Sequence, residues 1–160
     1  MDASRILTPK FRESTNSLMA IPYPGTDFVR YRIFPIKDYV PTTGSYPICG
    51  KAKYYQAPGS KVRLYKTPSY KTDVLFVTEG EKKALRLHQE GYPAAGIPGV
   101  WNYRSGGQLF PELIVKELRY IPDNDVWTNE MATLALSAFK FECERHNVLF
   151  TVLQFKEASV

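Results

Sequence analysis

The chain has 160 residues, of which 44% are hydrophobic and 23% charged, with a net charge of +5. This length fits one domain, or one domain with a substantial appended region, and the composition excludes wholesale disorder. The longest apolar run is far short of the ~18–20 residues of a membrane span, and the N-terminus lacks the basic start and apolar block of a signal peptide, so a cytoplasmic protein without membrane partners is expected.

Residues 1–71 form the first predicted region. They hold eight of the twelve prolines and eight of the eleven tyrosines, with 12 Lys/Arg against 4 Asp/Glu. In Phe28-Val29-Arg30-Tyr31-Arg32-Ile33-Phe34, the apolar Val29, Tyr31 and Ile33 alternate with Arg30 and Arg32, the period-two pattern of a strand with one wet, basic face. Turn signals flank it at Pro24-Gly25 and Pro41-Thr42-Thr43-Gly44. Lys53-Tyr54-Tyr55-Gln56, Ala57-Pro58-Gly59-Ser60 and Val62-Arg63-Leu64-Tyr65 then read as strand, turn, strand. A small, irregular, β-rich region is expected. Lysine and arginine interleaved with tyrosine suit single-stranded nucleic acid, whose phosphates attract the cations and whose bases stack on aromatic faces. The residues for that role are Arg30, Arg32, Lys51, Lys53, Tyr54, Tyr55, Lys61 and Arg63; the alternative is that the tyrosines form the core of the β region.

Residues 72–160 carry 9 Lys/Arg against 12 Asp/Glu and change grammar to strands alternating with helices, which argues for parallel βαβ units. Val74-Leu75-Phe76-Val77 reads as a central strand covered on both faces, and 80–89 as a helix ended by Gly91. A short strand over 93–97, a Pro/Gly connection over 98–103, a further helix beginning at Pro111 and a third strand over 117–121 follow. Trp101 and Tyr103 in the connection either stack on a base or cover the end of the sheet. Thr128 is placed to N-cap a long helix to about His146 with an apolar face of Met131, Leu134, Ala135, Ala138 and Phe141, and 148–153 supplies a fourth strand. The two cysteines, Cys49 and Cys143, sit in no CxxC pair and at no metal spacing with His88 or His146; free buried thiols are expected.

Acids fall just past two of these strands: Glu79 after the first, and Asp123 and Asp125 after the third. Ligands of open α/β sheets collect outside the carboxyl ends of the strands, so neighbouring strands would bring the three carboxylates together. Mg²⁺ takes one or two carboxylates and keeps waters and substrate phosphates in its other positions. Asp123 and Asp125 then suit metal binding, Glu79 a general acid/base or third-ligand role, and Lys82, Lys83 and Arg86 on the first helix are placed to neutralise phosphate. The alternative reading of Asp-Asn-Asp is an Asx turn or helix cap.

A strand ending in Glu79-Gly80-Glu81-Lys82-Lys83-Ala84, the element Gly99-Val100-Trp101-Asn102 and the strand end Asp123-Asn124-Asp125 together resemble the Toprim-like domains of phage and plasmid replication proteins known as the DUF3854 family. Lys53-Tyr54-Tyr55-Gln56 and Arg63-Leu64-Tyr65 are similar to elements that precede that domain, so the resemblance covers about residues 50–153. It implies a Toprim-like Rossmannoid α/β fold: a central, mostly parallel sheet of about four strands flanked by helices over 72–160, preceded by the β-rich region 1–71. It implies a module of a DNA primase or primase-helicase, performing Mg²⁺-dependent nucleotidyl or phosphoryl transfer (with Mn²⁺ as a substitute), in which Glu79 is the general acid/base and Asp123 and Asp125 are metal ligands. The implied partners are single-stranded DNA or RNA, nucleotides, and a replicative helicase or further domains of a longer protein, of which this chain would be a fragment. A Toprim-type nuclease and a non-catalytic nucleic-acid or partner-binding module are the alternatives. Bacterial-type primases usually place an acid four residues after the first glutamate, where this chain has Lys83.

Overall fold

The computed structural model describes residues 17–39, 50–57 and 59–154, with side chains given outside 35–39 and 50–52. Cys49 and the turn predicted over 41–44 lie outside the described residues, as does the side chain of Lys51. The chain divides into two compact units, Met1–Ser60 and Lys61–Val160, so the division falls eleven residues before the one expected from composition.

In the first unit β1 (Ser17–Pro22), β2 (Val29–Tyr39) and β3 (Gly50–Tyr55) form an antiparallel sheet in the order β1-β2-β3. Of the expected apolar face of β2, Ile33 is fully buried, while Val29 and Tyr31 are half-buried, as are Arg30 and Arg32. The arginine face is less wet than its charge suggests. Arg32 lies opposite Tyr54 in the register, donates to its hydroxyl at 3.0 Å, and shares its ring with Arg30, whose guanidinium carbon sits 4.3 Å from the ring centroid. Stacking on an aromatic face shields a guanidinium while leaving it charged.

The second unit is built on a five-stranded sheet in the order β10-β9-β5-β6-β4. Its members are β4 (Tyr65–Lys66), β5 (Val74–Glu79), β6 (Ala94–Ile97), β9 (Glu117–Ile121) and β10 (Leu149–Val152). Four strands run parallel, and β4 is added antiparallel to β6. The tyrosine-containing run expected to close the β-rich region thus contributes an edge strand to this sheet, which raises the strand count from four to five. Helix α1 (Glu81–Gln89) links β5 to β6, and α2 (Glu130–Arg145) links β9 to β10.

Between β6 and β9 the chain makes a small hairpin, β7 (Arg104–Ser105) and β8 (Gln108–Leu109), followed by a 3-10 turn at Pro111–Leu113 where a longer helix was expected. Gly106 and Gly107 both take positive φ, 60° and 81°, as a two-residue hairpin loop requires. The hairpin region is the lid of the core. Tyr103, Leu109, Phe110 and Leu113 pack with Leu75, Val77, Leu118, Tyr120 and Phe139, and Tyr103 stacks on Phe139 at 4.5 Å between centroids. Tyr103 is therefore core, whereas Trp101 is 40% exposed. On β5 the side chains alternate: Leu75 and Val77 enter this core, while Phe76 on the other face is only half-buried against Tyr92 and Arg119.

Helix α2 corrects two expectations. Its N-cap is Asn129, whose side chain accepts from Met131 N and Ala132 N, rather than Thr128. Its buried residues are Ala135, Phe139 and Cys143, whereas Met131, Leu134 and Phe141 of the expected apolar face are 56–63% exposed. The most hydrophobic stripe lost to the one that the helix presents to the sheet when its ends join β9 and β10. Burial pushes the Cys143 thiol up to about 12, which makes it an inert core group.

Phe139→Ala is expected to cost about 3–5 kcal/mol of unfolding free energy, and Phe141→Ala less than about 1 kcal/mol. Urea denaturation of both variants checks the helix phase, and a larger loss for Phe141→Ala would refute it.

Candidate functional site

The sheet order carries a topological reversal. From β5 the chain moves through α1 to β6 on one side, then returns to β9 on the other side of β5 and continues through α2 to β10. A crevice opens at such a reversal, between the carboxyl ends of the two strands that diverge from it. Here those strands are β5 and β9, paired in parallel with Val77 beside Tyr120 and Thr78 beside Ile121. Glu79 is the last residue of β5, and Asp123 follows β9 by two positions.

Glu79 is half-buried, and its Oε1 accepts two hydrogen bonds, from the Tyr120 hydroxyl at 3.0 Å and from the Asp123 amide at 3.2 Å. Its carboxylate is thereby fixed between the two strand ends. Burial raises the Glu79 carboxyl above its ordinary range; the charges of Asp123 and Asp125 add to the shift, and the two hydrogen bonds oppose it. The Tyr120 phenol is raised as well, first by burial and then by the Glu79 charge, so it stays a hydrogen-bond donor. A carboxyl group oriented by two donors and tuned toward neutrality is suited to proton transfer.

The corner behind Glu79 depends on close packing. Gly80 takes φ +87° at the turn from strand to helix, and its amide donates to Ile97 O at 2.7 Å. A Cβ on Gly96 would lie 2.8 Å from Gly80 O. Glu81, at the first position of α1, is 98% buried, and its charge raises the Tyr65 phenol after the effect of burial itself. The sequence singles out Glu81 only as part of the strand-end motif and gives Tyr120 no role. The period-two pattern of β9 could have put Tyr120 on the core face, but only strand pairing shows that its hydroxyl reaches Glu79.

Asp123 caps nothing with its side chain. Its carboxylate pairs instead with Lys83 Nζ across from α1. Asp125 is exposed, and its backbone carbonyl accepts from Thr128 and Asn129. Among the described residues no three acidic, His or Cys side chains form a ready metal cage. The donor set still fits Mg²⁺, which asks for one or two carboxylates and fills its shell with water and phosphate oxygen. Glu79, which accepts from the Asp123 amide, and Asp123 would be the residues to hold it, with Asp125 two positions on.

The basic residues expected to hold nucleic acid are spread over both units. Lys82 is exposed, Arg86 pairs with Glu90 at 2.5 Å along α1, and Lys61 and Arg63 are exposed in the second unit. Arg30, Arg32, Tyr54 and Tyr55 are half-buried in the first unit, and Lys53 is exposed there. A shallow concavity beside α2 is lined by Trp127, Thr128, Glu130, Thr133, Leu134 and Ser137 rather than by the corner carboxylates.

Residues 69–149 match the family model described as a domain of unknown function, DUF3854. The chain belongs to this family. The DUF3854 match runs from before β5 into the start of β10, so it encloses Glu79, Lys83, Tyr120, Asp123 and Asp125 and leaves out the first unit. A relative described as Gene 57 protein, from Mycobacterium phage D29, is 43% identical over 54 residues, which are 32% of this chain and 35% of the relative. The chain thus matches about a third of that relative's length. No solved structure matches it. Among the described residues no helix is long and apolar enough to cross a membrane.

Two outcomes follow from this geometry. The folded protein holds the Glu79 proton more tightly than the unfolded chain does, so the group's contribution is full below the ordinary glutamate range and is lost as pH rises through the raised value. The stability of Glu79→Gln relative to wild type should therefore improve as pH rises from that range to neutrality; thermal unfolding across pH checks it, and a constant difference would contradict it. Gly96→Ala drives a methyl group into the Gly80 carbonyl and should cost about 1–3 kcal/mol in urea denaturation, whereas an unchanged stability would show that the corner yields.

Proposed function

We propose that the second unit is a Toprim-like module of a primase-type replication protein that supports Mg²⁺-dependent nucleotidyl or phosphoryl transfer on nucleic acid. The observation that carries this reading is the Glu79 carboxyl at the β5/β9 reversal, raised in pKa and fixed by Tyr120 and Asp123. Glu79 is the group that takes a proton from an attacking hydroxyl or returns one to a leaving oxygen. The Tyr120 hydroxyl holds Oε1 in place, and the Asp123 amide sets its distance from the loop after β9. Mg²⁺, held by Asp123 with Glu79 or Asp125, would supply charge neutralisation to the transferring phosphoryl group. Lys82 and Lys83 supply positive charge at the same edge for a phosphate backbone, and a basic first unit with Arg30 and Arg32 stacked on Tyr54 suits single-stranded nucleic acid. A relative in a mycobacteriophage supports a phage setting.

A second reading, a non-catalytic nucleic-acid-binding module on the same fold, is favoured by one observation: Asp123 is already paired with Lys83. The two separate in one assay series. The full chain is supplied with single-stranded template, nucleotides and Mg²⁺ or Mn²⁺, and then with single-stranded DNA alone. On the first reading nucleotides are incorporated, Glu79→Gln lowers the rate about 100-fold or more, and Tyr120→Phe lowers it to a smaller extent. Cutting without nucleotides identifies a nuclease. Salt-sensitive binding with neither reaction sinks the transfer reading in favour of the binding module.

A further inference from the structure

The contact between Lys83 and Asp123 joins residues 40 apart in sequence and spans from α1 to the loop after β9. The neighbouring cations of α1 are differently engaged: Arg86 binds Glu90 on its own helix, and Lys82 is exposed. Asp123 for its part makes no side-chain cap to the 3-10 turn that it begins, although such capping is the ordinary use of an aspartate at this position. Its carboxylate is directed to the lysine instead. The ammonium and a divalent cation want the same thing from Asp123, a negatively charged oxygen, so an ammonium held on Oδ1 competes for that oxygen and its positive charge weakens the carboxylate as a metal ligand.

We propose that Lys83 is an intramolecular stand-in for a divalent cation on Asp123, which holds down the metal affinity of the corner in the free protein. This rests on the Mg²⁺ reading given above. The pair is half-exposed, with side-chain exposures of 53% for Lys83 and 44% for Asp123, so it is a weak brake rather than a block. When a cation takes Asp123, the freed ammonium remains at the same edge, where a phosphate oxygen is its natural next partner. Lys83 is a positioning residue in this scheme, acting on the metal through Asp123.

The test is Mn²⁺ binding to the full chain, followed by the electron paramagnetic resonance signal of free Mn²⁺, with no substrate present. Lys83→Gln should tighten Mn²⁺ binding roughly three- to tenfold. Lys82→Gln, which removes an equal charge one residue away, should change it less than about twofold, and Lys83→Arg should stay near wild type. Equal shifts for Lys82→Gln and Lys83→Gln, or none for either, overturn the brake and leave the metal reading standing. Failure of every variant to bind Mn²⁺ in the low millimolar range, about the weakest site worth the name, overturns the metal reading and the brake with it.

Discussion

The parallel ladder between β5 and β9 is the constraint on which the second unit depends. It aligns Val77 with Tyr120 and Thr78 with Ile121, so the two strands end level with one another. Shift the register by one residue and Tyr120 leaves the core, its hydroxyl leaves Glu79, and the Asp123 amide points elsewhere. The acidic corner is therefore a by-product of hydrophobic register. Leu75, Val77, Leu118 and Tyr120, each wholly buried, set the alignment, and the polar groups at the strand ends inherit it.

Two kinds of packing keep that alignment rigid. On the core face an aromatic cluster of Tyr103, Tyr120, Phe139 and Phe150 interlocks at centroid distances of 4.5 to 5.9 Å, tying the hairpin, β9, α2 and β10 together. On the α1 side the fit is of backbone against backbone, with Gly96 giving the Gly80 carbonyl room. Tyr120 belongs to both settings, since its ring is part of the cluster and its hydroxyl is a ligand of Glu79. Loss of the core and loss of the site are coupled through this one side chain.

The sequence announces strands and helices of this unit where periodicity is strong. Glu117–Ile121 begins and ends where its apolar pattern does, and α1 and β6 fall within a residue of the pattern. Placing acids after two strands was enough to find Glu79 and Asp123, because in a parallel sheet every strand end faces the same edge. Where reading failed, the missing information was tertiary. Which stripe of α2 is buried depends on where the sheet lies, and hydrophobicity alone chose Met131, Leu134 and Phe141. The Gly106-Gly107 dipeptide is a hairpin signal legible in the sequence. Tyr65 was legible as a strand but not as a member of the second sheet, since two residues carry no information about their partner. The Lys83 contact is not legible in the sequence, since spacing along α1 does not say which of its cations faces the loop after β9.

The pairing of β5 with β9 also orders events in time. Between Glu79 and its two donors lie some forty residues that include a helix, a strand and a hairpin, so the loop closed by this contact is long. Closing long loops is slow compared with forming helices and hairpins, and it happens only after the later segment exists. During synthesis β5 and α1 leave the ribosome well before β9 does. Glu79 spends that interval without Tyr120 or the Asp123 amide, as an ordinary solvated glutamate of ordinary acidity. The tuned carboxyl is a property that the polypeptide acquires late, when the residues after β9 have been made and folded back.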